Sequence, residues 1–355
     1  MSLKIGIVGL PNVGKSTLFN ALTKSSQAEA SNYPFCTIDP NVGIITVPDK
    51  RLEKLGKLVK PEKVTPTAIE FVDIAGLVKD AHKGEGLGNQ FLSHIKEVDL
   101  ILQVVRFFED DDIQHTDKTI DPLRDLEIIN LELILADLST IKNTLEKIEP
   151  KVRAGEKELV EKFDILKKIQ KELEDGKMLN QLKLDNDEKE LIKEFNFLTA
   201  KPFLYIANLS EDQLPKDGKL IKNGIDFIPI SAKIEAEVNS LDGKEQKEYL
   251  ESIGLKESGL NQVIKKSYQA LGLITFFTAG PTEARAWTVK KGTRAPQAAG
   301  VIHTDFEKGF IKAEVISYED FVTTGSELKA KEAGKMRIEG KDYLVQDGDV
   351  ILFKV

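Results

Sequence analysis

The sequence predicts an α/β chain: a doubly wound, mostly parallel sheet with a helical hairpin inserted into it and a small α+β module after it. Three observations carry this. Residues 3–22 run from an apolar strand, Leu3–Val8, through a glycine-containing turn, G-L-P-N-V-G-K-S at Gly9–Ser16, into the helix-forming segment Thr17–Leu22. Short apolar, β-branched runs recur at Gly43–Val47, Ala68–Asp73 and Asp99–Arg106, the alternation that builds a parallel sheet. From about Leu123 to Phe197 that rhythm stops and the chain turns charged and helical.

The first element is a phosphate-binding (P-loop) turn. A buried strand feeding a glycine turn into a helix aims several N–H groups and the positive end of the helix dipole at one place. Gly9 and Gly14 permit the turn, and Pro11, Asn12, Val13 and Thr17 complete the cradle. Lys15 is expected to reach the β- and γ-phosphates, which makes it a catalytic candidate, and the Ser16 hydroxyl to ligate Mg²⁺. The strand Ala68–Asp73 ends in a carboxylate and is followed by Ile74-Ala75-Gly76. Asp73 is the expected water-mediated Mg²⁺ partner, and the Gly76 N–H is placed to sense the γ-phosphate. Downstream of a phosphate loop, this D-x-x-G marks a switch-type nucleotidase rather than a kinase. Thr37, at the end of N-Y-P-F-C-T (Asn32–Thr37), is the candidate that completes the Mg²⁺ shell, the alternative being an ordinary loop threonine.

In the charged stretch Leu131, Leu138, Leu145 and Val152 lie seven apart, with Ile128 and Leu135 offset between them, which is coiled-coil spacing. Pro150 and Gly155 punctuate it, and Leu159, Phe163, Leu166, Ile169 and Leu173 mark a second helix. The reading is an antiparallel hairpin with Glu156-Lys157-Glu158 on a solvated face. Strands resume at Phe203–Ala207 and Phe227–Ile230. One nucleotide-binding domain thus spans residues 1–122 and 199–275 around an insertion at 123–198. From Phe276 to Val355 come short strands such as Ala286–Val289 and Val350–Lys354, with one helix of any length around Phe306–Val315, which predicts a mixed-sheet module over 276–355.

Base recognition departs from the guanine code. GTPases of this plan carry Asn-Lys-x-Asp after a late strand, whose aspartate accepts two hydrogen bonds from guanine. Here the segment is Asn208-Leu209-Ser210-Glu211, and Ser231-Ala232-Lys233 supplies the backbone that closes over the base. Adenine has no 2-amino group, so losing that fork removes the main penalty against ATP. Leu77 follows Gly76 where many switch GTPases place a water-orienting glutamine. The catalytic polar group must come from elsewhere in the chain, from a partner or from a cation; His82 and His115 both lie in suitable loops. Three readings stand: an ATP-driven switch, a GTPase whose Glu211 reads guanine, and an RNA- or protein-binding adaptor with a slowly hydrolysed regulatory nucleotide.

The composition narrows the partners. With 50 Lys+Arg against 58 Asp+Glu the net charge is −8, which argues against non-specific coating of nucleic acid or specificity for DNA. A local basic patch stays open: Arg285, Lys290, Lys291 and Arg294 surround Trp287, a mix suited to RNA phosphates and bases. The single cysteine, Cys36, rules out an intramolecular disulfide, fits a reducing compartment and sits next to Thr37, where oxidation could touch the switch. No run approaches a membrane span, and the first apolar stretch is too short for a signal peptide, so a cytoplasmic chain is expected.

End to end, the chain resembles the YchF-type, Obg-related ATPases of the translation-factor class of P-loop proteins. The resemblance rests on Asn32–Thr37, on Asn208-x-x-Glu211, on the loop Gly76–Asn89 (G-L-V-K-D-A-H-K-G-E-G-L-G-N), on the helical insertion and on the last domain, which is similar to a TGS module of ubiquitin-like β-grasp fold. It implies ATP hydrolysis in preference to GTP, association with the ribosome or ribosomal RNA, and a role in translation or stress response. It also favours His115 over His82 as the group that positions water, because a histidine follows the same Phe-Glu acidic stretch in the family. Related proteins with asparagine at the place of Asn12 hold K⁺ with it, which adds K⁺ to ATP and Mg²⁺ among the implied ligands. Within Gly76–Asn89, Asp80 stands where a small residue is expected and Lys83 where an acid is.

Overall fold

The computed structural model describes residues 3–30, 41–74, 87–110, 120–255 and 257–355. Strand β1 (Lys4–Val8) turns into helix α1 (Lys15–Ala30), followed by β2 (Val42–Thr46), α2 (Lys50–Val59), β3 (Lys63–Thr65), β4 (Ala68–Asp73), α3 (Leu87–Glu97) and β5 (Leu100–Arg106). The insertion holds α4 (Pro122–Arg153), α5 (Val160–Glu174) and α6 (Asn186–Lys193). After it come β6 (Phe203–Asn208), β7 (Leu220–Lys222), β8 (Ile225–Ile230), α7 (Ala232–Val238), α8 (Gly243–Ser252) and α9 (Gly259–Ala270). The chain continues with β9 (Leu273–Ala279), β10 (Glu283–Lys290), α10 (Ala295–Ile302), α11 (Thr304–Lys308) and β11 (Lys312–Ser317), then α12 (Tyr318–Thr324), α13 (Glu327–Glu332), β12 (Arg337–Glu339) and β13 (Asp349–Lys354).

The first sheet has the order β2-β4-β1-β5-β6-β8-β7. Its β4, β1, β5, β6 and β8 run parallel, and β7 closes the edge as an antiparallel hairpin with β8. Ile5, Ile7 and Val8 are all buried, as a central strand covered on both faces requires. Register then brings the site together: Ile7 lies opposite Asp73, Arg106 opposite Asn208, and Asn208 opposite Ile230. The loops after these residues share the carboxyl end of the sheet, where ligands of such folds bind.

Contacts group the chain into two compact units, one built on residues 70–263 with the phosphate-loop region, the other on 264–355 with 44–69. The second sheet runs β12-β11-β13-β9-β10-β3. Its hairpin β9–β10 and pair β11–β13 are antiparallel, and β13 meets β9 in parallel, the strand order of a β-grasp sheet with β3 added beside β10. Residues 50–65, placed by the sequence pattern in the first domain, pack here. Leu52 and Leu55 of α2 join Phe277, Ala284 and Phe321 in one core, the small side chains of β10 making room for the helix.

Two expectations are corrected. Leu131 is 54 % exposed; the seam of α4 runs instead through Ile134, Leu138, Ile141, Leu145 and Ile148 against Ile165, Leu166, Ile169 and Leu173 of α5. The first turns of α4 bury Leu126, Ile129 and Leu133 instead, so the covered face of this 32-residue helix rotates along its length. Phe306–Val315 is not one helix: α11 stops at Lys308, and β11 begins at Lys312. Ala313 and Val315 are both buried there, a period of two that so short a run does not distinguish from a helix. No helix among the described residues is long and apolar enough to cross a membrane.

Candidate functional site

The loop between β1 and α1 turns on Asn12 at φ 61° and Gly14 at φ 97°. A Cβ on Gly14 would lie 2.2 Å from Asn208 Nδ2, and one on Gly9 2.6 Å from the Val104 carbonyl oxygen, so both positions exclude a side chain. Lys15 is only 8 % exposed, and its Nζ donates to the Leu10 carbonyl at 2.8 Å. Burial lowers its pKa from the ordinary lysine value, with the charge of Asp73 opposing. This lysine reaches back across the loop to Leu10.

Ser16 Oγ donates to Asp73 Oδ2 at 3.1 Å. Burial raises the Asp73 carboxyl, while the Ser16 hydroxyl and the Lys15 charge pull it down. Its other oxygen, Oδ1, is buried with no hydrogen-bond partner among the described residues. A buried orphan carboxylate oxygen beside a hydroxyl at a helix start is a hard oxygen donor set and fits Mg²⁺. Ser16 and Asp73 are the described residues that would hold the ion, which supplies positive charge to bound phosphates.

Asn208 is the hub of the other end. At 5 % exposure, its Nδ2 donates to the Val13 carbonyl at 2.9 Å and its Oδ1 accepts the Ala232 N–H at 3.0 Å. One amide thus ties the phosphate loop to the Ser231–Lys233 segment. The Leu209 N–H donates to the Ile230 carbonyl at 2.7 Å, which fixes the neighbouring loop to β8. Behind it Glu235 of α7, 2 % exposed, accepts the Gly259 N–H at 2.6 Å and so anchors α7 on the start of α9. Burial pushes this carboxyl up to about 7, against the pull of the Gly259 and Leu260 N–H groups.

Between these loops lies a cleft of about 700 Å³. The structure brings Asn12, Gly14, Thr17, Asn208, Leu209 and Glu211 into its lining, together with Ser231, Ala232 and Lys233. Leu209 is buried, whereas Glu211 and Lys233 are exposed. Gly9, Pro11 and Val13 belong to the adjoining loop, Lys15 and Ser16 to the first turn of α1, and Asp73 to the end of β4. Thr37, Gly76, Leu77, His82, His115 and Cys36 lie outside the described residues. Sequence reasoning missed two parts: the wall formed by Phe108, Glu109 and Asp110, and the anchor Glu235. The signal for the wall was register, since residues following Arg106 must emerge beside those following Asn208.

Of the basic residues in the last domain, Arg285 and Lys290 lie on β10, and Lys291 and Arg294 follow it. The Arg285 guanidinium lies 4.0 Å from the Trp287 ring centroid, and Trp287 Nε1 donates to Thr278 Oγ1 at 3.0 Å. Arg294 pairs with Asp342 at 3.0 Å, and Lys290 and Lys291 are exposed.

Comparison with known proteins points the same way as the geometry. Residues 4–208 match the family described as 50S ribosome-binding GTPase, and residues 273–355 match the YchF GTPase C-terminal domain, described as a protein of unknown function. The chain is 52% identical to the ribosome-binding ATPase YchF of Bacillus subtilis (strain 168), covering 100% of this chain and 99% of that protein. It is 50% identical to Obg-like ATPase 1 of Gallus gallus over 99% of this chain and 92% of that one. The solved structure of the Schizosaccharomyces pombe YchF GTPase superposes with a TM-score of 0.89 at 40% identity, covering 99% of this chain and 98% of that chain.

Proposed function

The chain belongs to the YchF family of P-loop nucleotide hydrolases and is an ATPase, and from that footing we propose that it is a switch that prefers ATP to GTP, binds the ribosome and regulates translation or a stress response in the cytoplasm. The observation that carries the base preference is the Ala232 N–H donating to Asn208 Oδ1 at 3.0 Å. With that donor engaged, the 6-oxo group of guanine loses a backbone partner in the closing loop. The 6-amino group of adenine brings its own donor to a cleft edged by Glu109, Asp110, Glu211, Asp212 and Glu237. Leu209, buried in the place of the guanine-code lysine, supplies an apolar contact that reads neither base.

Lys15 and the N–H groups at the start of α1 hold the phosphates, and Ser16, Asp73 and Thr37 are the residues for Mg²⁺. The Leu77 side chain has no polar atom to offer, and the family resemblance makes His115 the proposed water-positioning group. Asn12, already bent to φ 61° and lining the cleft, is the proposed K⁺ ligand, the cation adding charge stabilisation during transfer. Ribosome binding extends to this chain what the names of its relatives state. Co-sedimentation with ribosomes tests the switch: ATP is expected to change the bound fraction of the wild type and not that of Lys15→Ala. Identical, nucleotide-independent binding by both proteins would make the chain an adaptor instead.

A further inference from the structure

One wall of the cleft is held by a buried arginine. Arg106 ends β5 and is 1 % exposed. Its Nε donates to the Phe108 carbonyl at 3.1 Å and its Nη2 to the Asp110 carbonyl at 3.1 Å. Its Cζ lies 4.5 Å from the centroid of the Phe108 ring. One planar cation therefore grips two carbonyls and a ring within the four residues that follow it. The β5–β6 register ends at Arg106 opposite Asn208, and the Phe107 N–H reaches the Asn208 carbonyl at 2.9 Å. Among the described residues the β5–β6 ladder ends with that bond, and Phe108, Glu109 and Asp110 go on to line the cleft beside Leu209 and Ala232.

We propose that Arg106 is a positioning residue that sets the base end of the nucleotide cleft and, through it, the choice of base; the inference rests on the cleft being the nucleotide site. A guanidinium suits the task because its N–H groups diverge in one plane toward both carbonyls while its face lies on the ring. A lysine ammonium has no such fork and no face. Removing the grip takes a donor from the Phe108 and Asp110 carbonyls without touching Lys15, Ser16 or Asp73, so it separates base binding from phosphate binding.

The test is calorimetric titration of the full chain, wild type and Arg106→Lys, with ATP, GTP and inorganic tripolyphosphate in the presence of Mg²⁺. ATP affinity is expected to fall about tenfold or more in the variant, tripolyphosphate affinity to stay within about twofold, and the ATP-to-GTP ratio to shrink. A merely structural role would weaken ATP and tripolyphosphate alike, and that result, or an unchanged ATP affinity in a folded variant, overturns the proposal. Arg106→Gln, neutral and still able to donate from one nitrogen, is read by the same criteria if the lysine variant does not fold. A wild type that binds ATP no tighter than tripolyphosphate refutes the reading of the cleft itself, whereas a wild-type preference that both variants retain refutes only the role of Arg106.

Discussion

Replacing Asn208 by alanine removes a side chain that joins the phosphate loop to the closing loop. The Val13 carbonyl and the Ala232 N–H each lose a buried partner, at 2.9 and 3.0 Å respectively. A buried backbone group left unsatisfied costs about 1–3 kcal/mol, so the pair costs roughly 2–4 kcal/mol after partial relaxation. Each kcal/mol moves the melting temperature of a domain this large by about 2–4 °C, which places the expected fall at roughly 4–16 °C. Asn208→Asp sharpens the experiment because it is isosteric. It keeps an oxygen to accept the Ala232 N–H but turns a carboxylate oxygen toward the Val13 carbonyl, so it should be at least as damaging as alanine. The assay is thermal and urea unfolding with and without ATP, plus ATP titration, since both loops must hold their places for the nucleotide to bind. An Asn208→Asp protein that melts with the wild type and binds ATP equally well would refute the idea that this amide locks the site.

Three further outcomes are expected. Ile141→Ala, at a fully buried seam position, should cost about 2–5 kcal/mol in urea unfolding. Leu131→Ala, at a side chain that is 54 % exposed, should stay within about 0.5 kcal/mol; equal costs would return the seam to the simple heptad. Burial raises Glu235 from its ordinary 4.5 to about 7, so below pH 4.5 both folded and unfolded chains hold the proton and no penalty arises. Between those two values the unfolded chain ionises first, and the fold loses up to about 3 kcal/mol as pH rises. Glu235→Gln should flatten that limb of the stability curve, and an unchanged slope contradicts the assignment. ATP hydrolysis should run faster in KCl than in NaCl at equal ionic strength, with the difference lost in Asn12→Ala; equal rates in the two salts remove K⁺ from the scheme.

The parts of the fold visible in the sequence are those where local physics allows one answer. The loop Gly9–Ser16 is legible because two of its positions tolerate no side chain and its flanks are a buried strand and a helix start. Strands β1 and β5 are legible because strands covered on both faces need near-continuous apolar runs. The amphipathic face of α2 says that something covers it but not that β10 does, so its packing on the second sheet was hidden. The seam of α4 was hidden because leucine and isoleucine crowd residues 126–135 and offer several stripes at similar spacing. Phe108–Asp110 escaped notice because a wall made by strand register has no motif, and Arg106 reads in sequence as an ordinary strand-end cation.

Titration with ATP and with GTP, Mg²⁺ and K⁺ present, bears most directly on the nucleotide choice from which the rest of the function follows. ATP is expected to bind at least about tenfold tighter, a difference of about 1.4 kcal/mol. GTP binding tighter by the same margin would contradict the ATP switch and mean that Glu211 reads guanine from its exposed place on the cleft edge.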